Sequence, residues 1–71
     1  MNTVKVDKTE ATLRFSRDEV MLLNNALNEV SNGVAISDAE FETRLGADRA
    51  EARRLLDRIH SILDAMQASK E

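Results

Sequence analysis

The sequence predicts a mostly α fold with a small β element: a short N-terminal hairpin or strand over residues 1–16, then helices over 17–32, 38–45 and 49–69. Three patterns predict it. Apolar residues alternate between Thr3 and Phe15, three helix-start signatures follow, and one long apolar stripe runs from Ala52 to Met66. Seventy-one residues make one small domain.

In the β element, Val4 and Val6 share one parity and Ala11, Leu13 and Phe15 the other, with Thr residues between. Alternation of this kind gives a strand one buried and one wet face. The connection Asp7-Lys8-Thr9-Glu10 has no Gly or Asn to take a positive φ. Two arrangements therefore stay open: a hairpin within the chain, or strands that pair between two chains.

Ser16-Arg17-Asp18-Glu19 has the form of a capping box, with Phe15 and Val20 placed as a hydrophobic staple. The first helix is expected to close at Gly33 in a left-handed conformation. Ser37-Asp38-Ala39-Glu40 repeats the box pattern, with Ile36 and Phe41 as its staple, and Gly46 stops that short helix. Asp48-Arg49-Ala50-Glu51 opens the third. Each cap contributes about 1 kcal/mol.

Composition sets the stability problem. Apolar residues make up 42 % and charged residues 32 %, with a net charge of −3, and there is no Cys or Pro. That is too apolar for a disordered tail and too charged for a membrane span. Zero cysteines exclude a disulfide scaffold and a thiol nucleophile. Ordering costs roughly 1.5 kcal/mol per residue, so a core this small is marginal alone. Residues 1–7 lack an apolar run of signal-peptide length, which makes the cytoplasm the expected compartment.

The third helix carries the clearest periodicity. Ala52, Leu56, Ile59, Leu63 and Met66 recur at spacings of four and three, widened by Leu55 and Ile62. The first helix offers Val20, Leu23, Ala26, Leu27 and Val30 to cover it. Ile62, Leu63 and Met66, at the far end, are expected to be left open. Either Val4, Val6, Leu13 and Phe15 cover them within the chain, or a second copy does, as a homodimer seam.

A second surface is marked by Asn24, Asn25 and Asn28, with Met21 in the same arc of the first helix. Asn is a weak helix former, and a solvated face is built more simply from Glu, Lys or Gln. The arc is therefore either an interface or a set of asparagines bonded to a neighbouring loop, with Asn32 marking the helix end.

Phe41-Glu42-Thr43-Arg44-Leu45-Gly46-Ala47-Asp48-Arg49-Ala50-Glu51-Ala52-Arg53-Arg54-Leu55-Leu56 resembles a bacterial helix-turn-helix unit, at Phe41, Leu45, Gly46, Ala52 and Leu55. The resemblance covers under a third of the chain. It implies DNA contact by Arg49, Arg53 and Arg54, with Asp48 and Ala50 near the groove. Glu42 stands where the superfamily carries a small residue, and Ala47 where it carries a larger aliphatic one. The charge opposes this role: residues 1–43 carry four bases against eight acids, and Asp57 and Asp64 share the wet face of the third helix. Phosphate neutralisation supplies much of DNA affinity.

No catalytic apparatus is expected. His60 is the single histidine, and its i, i+4 partner Asp64 makes a surface pair. One His does not assemble a metal site without a carboxylate cluster, and no Gly-rich phosphate loop is present. The expectation is a non-enzyme with no cofactor and no metal. It associates with itself, and another protein is a further candidate partner; an antitoxin or immunity-type inhibitor suits the same size and charge by analogy of fold alone. A DNA-binding regulator is the competing class.

Overall fold

Ser16 is where the chain turns from strand to helix, and its surroundings show why. The Ser16 hydroxyl accepts from the Glu19 N–H at 3.2 Å, and the Glu19 carboxylate accepts from the Ser16 N–H at 2.9 Å. Two otherwise orphaned donors of the first turn are thus satisfied reciprocally. The computed structural model describes residues 1–33 and 35–68. Strands β1 (Asn2–Val6) and β2 (Ala11–Arg14) come first, then helices α1 (Arg17–Asn28), α2 (Asp38–Leu45) and α3 (Arg49–Ala68). The predicted class, an N-terminal β element followed by three helices with the last one long, is the one observed; Ser69, the expected last residue of α3, lies outside the described residues.

The strands form an antiparallel hairpin within the chain. Its turn needs no glycine, because Asp7 builds it. The Asp7 Oδ1 accepts from the Thr9 N–H, the Thr9 hydroxyl and the Glu10 N–H at 2.8–2.9 Å. The Asp7 N–H in turn donates to the Glu10 carbonyl at 3.0 Å. An aspartate whose carboxylate accepts from the N–H groups two and three residues on mimics a backbone turn. The Thr9 N–H, then the Glu10 N–H and the Thr9 hydroxyl, hold the Asp7 carboxyl below its ordinary pKa.

Register places Val6 opposite Ala11, Lys5 opposite Thr12 and Thr3 opposite Leu13, with a bulge at Val4. Directly paired residues share a face. Val6, Ala11 and Leu13 therefore line one side of the ribbon and Lys5 and Thr12 the other. Among the described residues neither strand packs on a helix, and Val4 and Val6 stay more than half exposed. The expectation that the hairpin covers α3 within the chain is not met. The base of the ribbon is tied to α1, where the Met1 amino group donates to Glu19 at 2.6 Å. That ammonium, followed by the Ser16 N–H, lowers the Glu19 pKa.

Both carboxylates bind protons less readily folded than unfolded. Their contribution to stability is complete above the ordinary carboxylate range. It is lost as pH falls through the lowered folded values.

Regular bonding in α1 ends at Asn28, four residues before the expected end, and continues as a π turn over Glu29–Gly33. Asn28, Val30, Ser31 and Asn32 are all weak helix formers, and the Asn32 side chain donates to Asn28 Oδ1 at 2.9 Å. The stop is thus prepared by a run of residues rather than by Gly33 alone. Ser31 is buried in this turn, and its hydroxyl has no hydrogen-bond partner among the described residues.

The second capping pattern is half made. Ser37 accepts from the Glu40 N–H at 3.2 Å, but the Glu40 carboxylate pairs with Arg44 one turn on. At the other end Gly46 adopts φ 72° and donates its N–H to the Glu42 carbonyl. A Cβ at Gly46 meets no atom within 4 Å, so the cost of a side chain there is backbone strain alone. Gly46→Ala is expected to destabilise by about 1 kcal/mol, which thermal unfolding reads as a Tm lower by about 4–8 °C. Asp48 then starts α3 by accepting the Glu51 N–H at 2.8 Å.

The core is small. Val20 of α1, Phe41 of α2 and Leu63 of α3 are its buried apolar members among the described residues. The molecule measures 43 × 31 × 15 Å, with a radius of gyration of 14.0 Å. A compact chain of this length has a radius near about 11 Å.

Candidate interaction surface

Helices α1 and α3 lie antiparallel, and two polar links mark their register. The Arg17 Nη2 donates to the Met66 carbonyl at 2.7 Å. Farther along, His60 Nδ1 lies 3.3 Å from Asn24 Oδ1, while His60 Nε2 lies 3.6 Å from Asp64. Leu63 fills the seam between the helices and is buried. This corrects the expectation for the C-terminal end of the stripe. Leu63 is core and Met66 is half-buried, so of the three expected seam residues only Ile62 is broadly open.

The open apolar surface lies on one flank of the helix pair. Leu55 and Ile62 are seven residues apart on α3 and so share a side; they are 51 % and 49 % exposed. Leu22, at 69 %, and Ala26 are four apart on α1 and flank them at matching levels of the antiparallel pair. Leu45, at the end of α2, is 47 % exposed. Between the helices, Leu23, Leu27, Val30, Leu45, Ala52 and Leu55 line a groove of about 440 Å³. Sequence periodicity finds Leu55 and Ile62 but misses Leu22 and Leu45. Leu22 falls outside the α1 stripe, and the exposure of Leu45 follows only from how α2 meets α3.

The asparagine arc is a different surface. Asn28 is two residues from Ala26, which places them on nearly opposite sides of α1. Asn24 is engaged with His60 and Asn28 with Asn32, whereas Asn25 and Met21 are exposed. The structure therefore does not bring Met21, Asn24, Asn25 and Asn28 together with Ile62.

Of the three arginines expected at a DNA groove, Arg49 is committed inside the fold. Its guanidinium pairs with Asp38 at 3.0 Å, donates to the Ile36 carbonyl and lies 4.7 Å from the centroid of the Phe41 ring. These contacts clamp α2 onto the start of α3, a role the spacing of charges does not reveal. Arg53 and Arg54 are exposed. They share a shallow depression with Arg49 and with the acids Asp38, Glu42 and Asp48. Positive charge there is met by equal negative charge, so no continuous basic face forms. Among the described residues no group of three or more acidic or His side chains converges as metal ligands, and no helix is long and apolar enough to cross a membrane. No protein-family model, no curated protein and no solved structure matches the chain.

Proposed function

We propose that this chain is a protein-interaction domain that works as a homodimer, built on the open flank of Leu22, Leu45, Leu55 and Ile62. One observation carries the reading: the molecule exposes too much surface for its size. Its accessible surface is 5741 Å². A folded monomer of 7.9 kDa exposes about 4,400 Å². The excess is about 1,300 Å² per chain. Two copies that bury it remove about 2,600 Å² in total, within the range of obligate homodimers.

When folding and association are coupled, Tm depends on protein concentration. A hundredfold increase in concentration is expected to raise the Tm by several degrees. A Tm constant across that range contradicts the dimer.

The left-handed Gly46 between α2 and α3 favours a second reading, helix-turn-helix DNA binding through Arg53 and Arg54. Its charge balance weighs against it. Titration with generic duplex DNA at low salt is expected to give no binding. A shift that weakens steeply with added salt instead supports the DNA reading.

A further inference from the structure

The hairpin has two open edges, and they are not alike. On β1 the bulge at Val4 breaks the ladder, and a bulge on an edge strand turns it away from further pairing. β2 runs unbroken from Ala11 to Arg14. Its backbone orientation follows from the turn. The Asp7 N–H donates to the Glu10 carbonyl, and the Glu10 N–H donates to Asp7 Oδ1, so the polar backbone groups of Glu10 point toward β1. Successive residues of an antiparallel strand turn these groups to alternate sides. Thr12 and Arg14 therefore also face β1, whereas the N–H and C=O groups of Ala11 and Leu13 lie on the open edge. No helix packs on either strand among the described residues, and a two-stranded hairpin on its own is marginal in water.

We propose that this edge pairs with the same edge of a second copy. β2 of one copy runs antiparallel to β2 of the other, and the two hairpins form one four-stranded sheet. The segment Glu10-Ala11-Thr12-Leu13-Arg14 is complementary to itself when reversed about Thr12. Glu10 falls opposite Arg14 of the other copy, Ala11 opposite Leu13, and Thr12 opposite Thr12. Opposite charges and Thr–Thr pairs are favourable cross-strand neighbours. Glu10, Thr12 and Arg14 are exposed and share one face of the ribbon. Neither Glu10 nor Arg14 has an ion-pair partner among the described residues. Any other register loses both Glu10–Arg14 pairs. In this register each Ala11 and its opposing Leu13 exchange two backbone hydrogen bonds. The bulged β1 strands become the outer edges, which stops the sheet at two copies. The contact rests on the homodimer reading. Hydrogen bonds exchanged for bonds to water add little each, so the strands assist the apolar flank and do not replace it.

The chain has no native cysteine, which makes a disulfide test clean. Thr12 meets Thr12 as a non-hydrogen-bonded pair, in which the Cα atoms lie about 4.5 Å apart, within disulfide reach. Thr12→Cys is expected to oxidise to a covalent dimer several-fold faster than Lys5→Cys, which lies opposite Thr12 on β1, one strand farther from the axis. Glu10→Arg and Arg14→Glu are each expected to raise the dimer dissociation constant by about threefold or more. The double variant, which exchanges the two charges, is expected to return to the wild-type value. Equal oxidation of the two cysteine variants overturns the strand pairing, and so does a double variant no tighter than the singles. If the unmodified chain still sediments as a dimer in that case, the homodimer reading stands. A monomeric mass at every concentration overturns both.

Discussion

Phe41→Ala strips the chain of a large share of its stability. Among the described residues Phe41 is the one large side chain with no exposure at all, and it is the sole buried residue of α2. Its ring packs under the Arg49 guanidinium, so its loss also removes the platform on which that clamp rests. Truncation of a buried Phe costs about 3–5 kcal/mol. A chain of this length holds only about 4–10 kcal/mol in total. Thermal unfolding followed by far-UV circular dichroism is expected to show a Tm lower by about 12 °C or more. Phe41→Leu, which keeps much of the volume, is expected to remain folded with a lower Tm. A Phe41→Ala protein with a wild-type Tm contradicts the assignment of this residue as the centre of the core.

Leu55→Asp gives the second large effect, on assembly. Leu55 is half exposed in one chain, so a carboxylate there costs the isolated fold little. In the dimer the same carboxylate is buried without a partner, which costs several kcal/mol. A truncated or mismatched hot-spot residue removes at least about 2 kcal/mol of association energy. The dissociation constant is expected to rise at least thirtyfold, seen as a halved mass at micromolar concentration. Arg53→Asp, on the polar side of α3, is expected to leave the mass unchanged. Equal behaviour of the two variants contradicts the placement of the interface on the Leu55 flank.

Most of the architecture is legible in the sequence because it is specified locally. Ser16 with Glu19, Ser37, Gly46 and Asp48 each set a helix boundary through contacts within three or four residues. The hairpin turn is not: a reading that looks for Gly or Asn passes over the Asp7 and Thr9 side chains that build it. What the pattern does not show is how the elements face one another. The same stripe, Ala52 to Met66, has Leu63 buried and Leu55 and Ile62 open, and only the placement of α1 separates them. Arg49 reads as a surface cation, yet its reach to Asp38, Ile36 and Phe41 crosses eight to thirteen residues of chain. Asn24 and His60 are 36 residues apart, and no local spacing predicts their meeting. The π turn at Glu29–Gly33 shifts the end of α1 because several weak helix formers act together, whereas a boundary rule weighs one residue at a time.

The proposed interaction surface follows the same division. Its residues are apolar and helically spaced, which the sequence displays. Their exposure depends on how the helices are placed against one another, which the sequence does not display. The central proposal is that the chain works as a homodimer. Sedimentation equilibrium of the unmodified protein, from low micromolar to millimolar, tests this most directly. The account predicts a species of twice the 7.9 kDa chain mass across the upper part of that range. A single species of the chain's own mass at every concentration contradicts it.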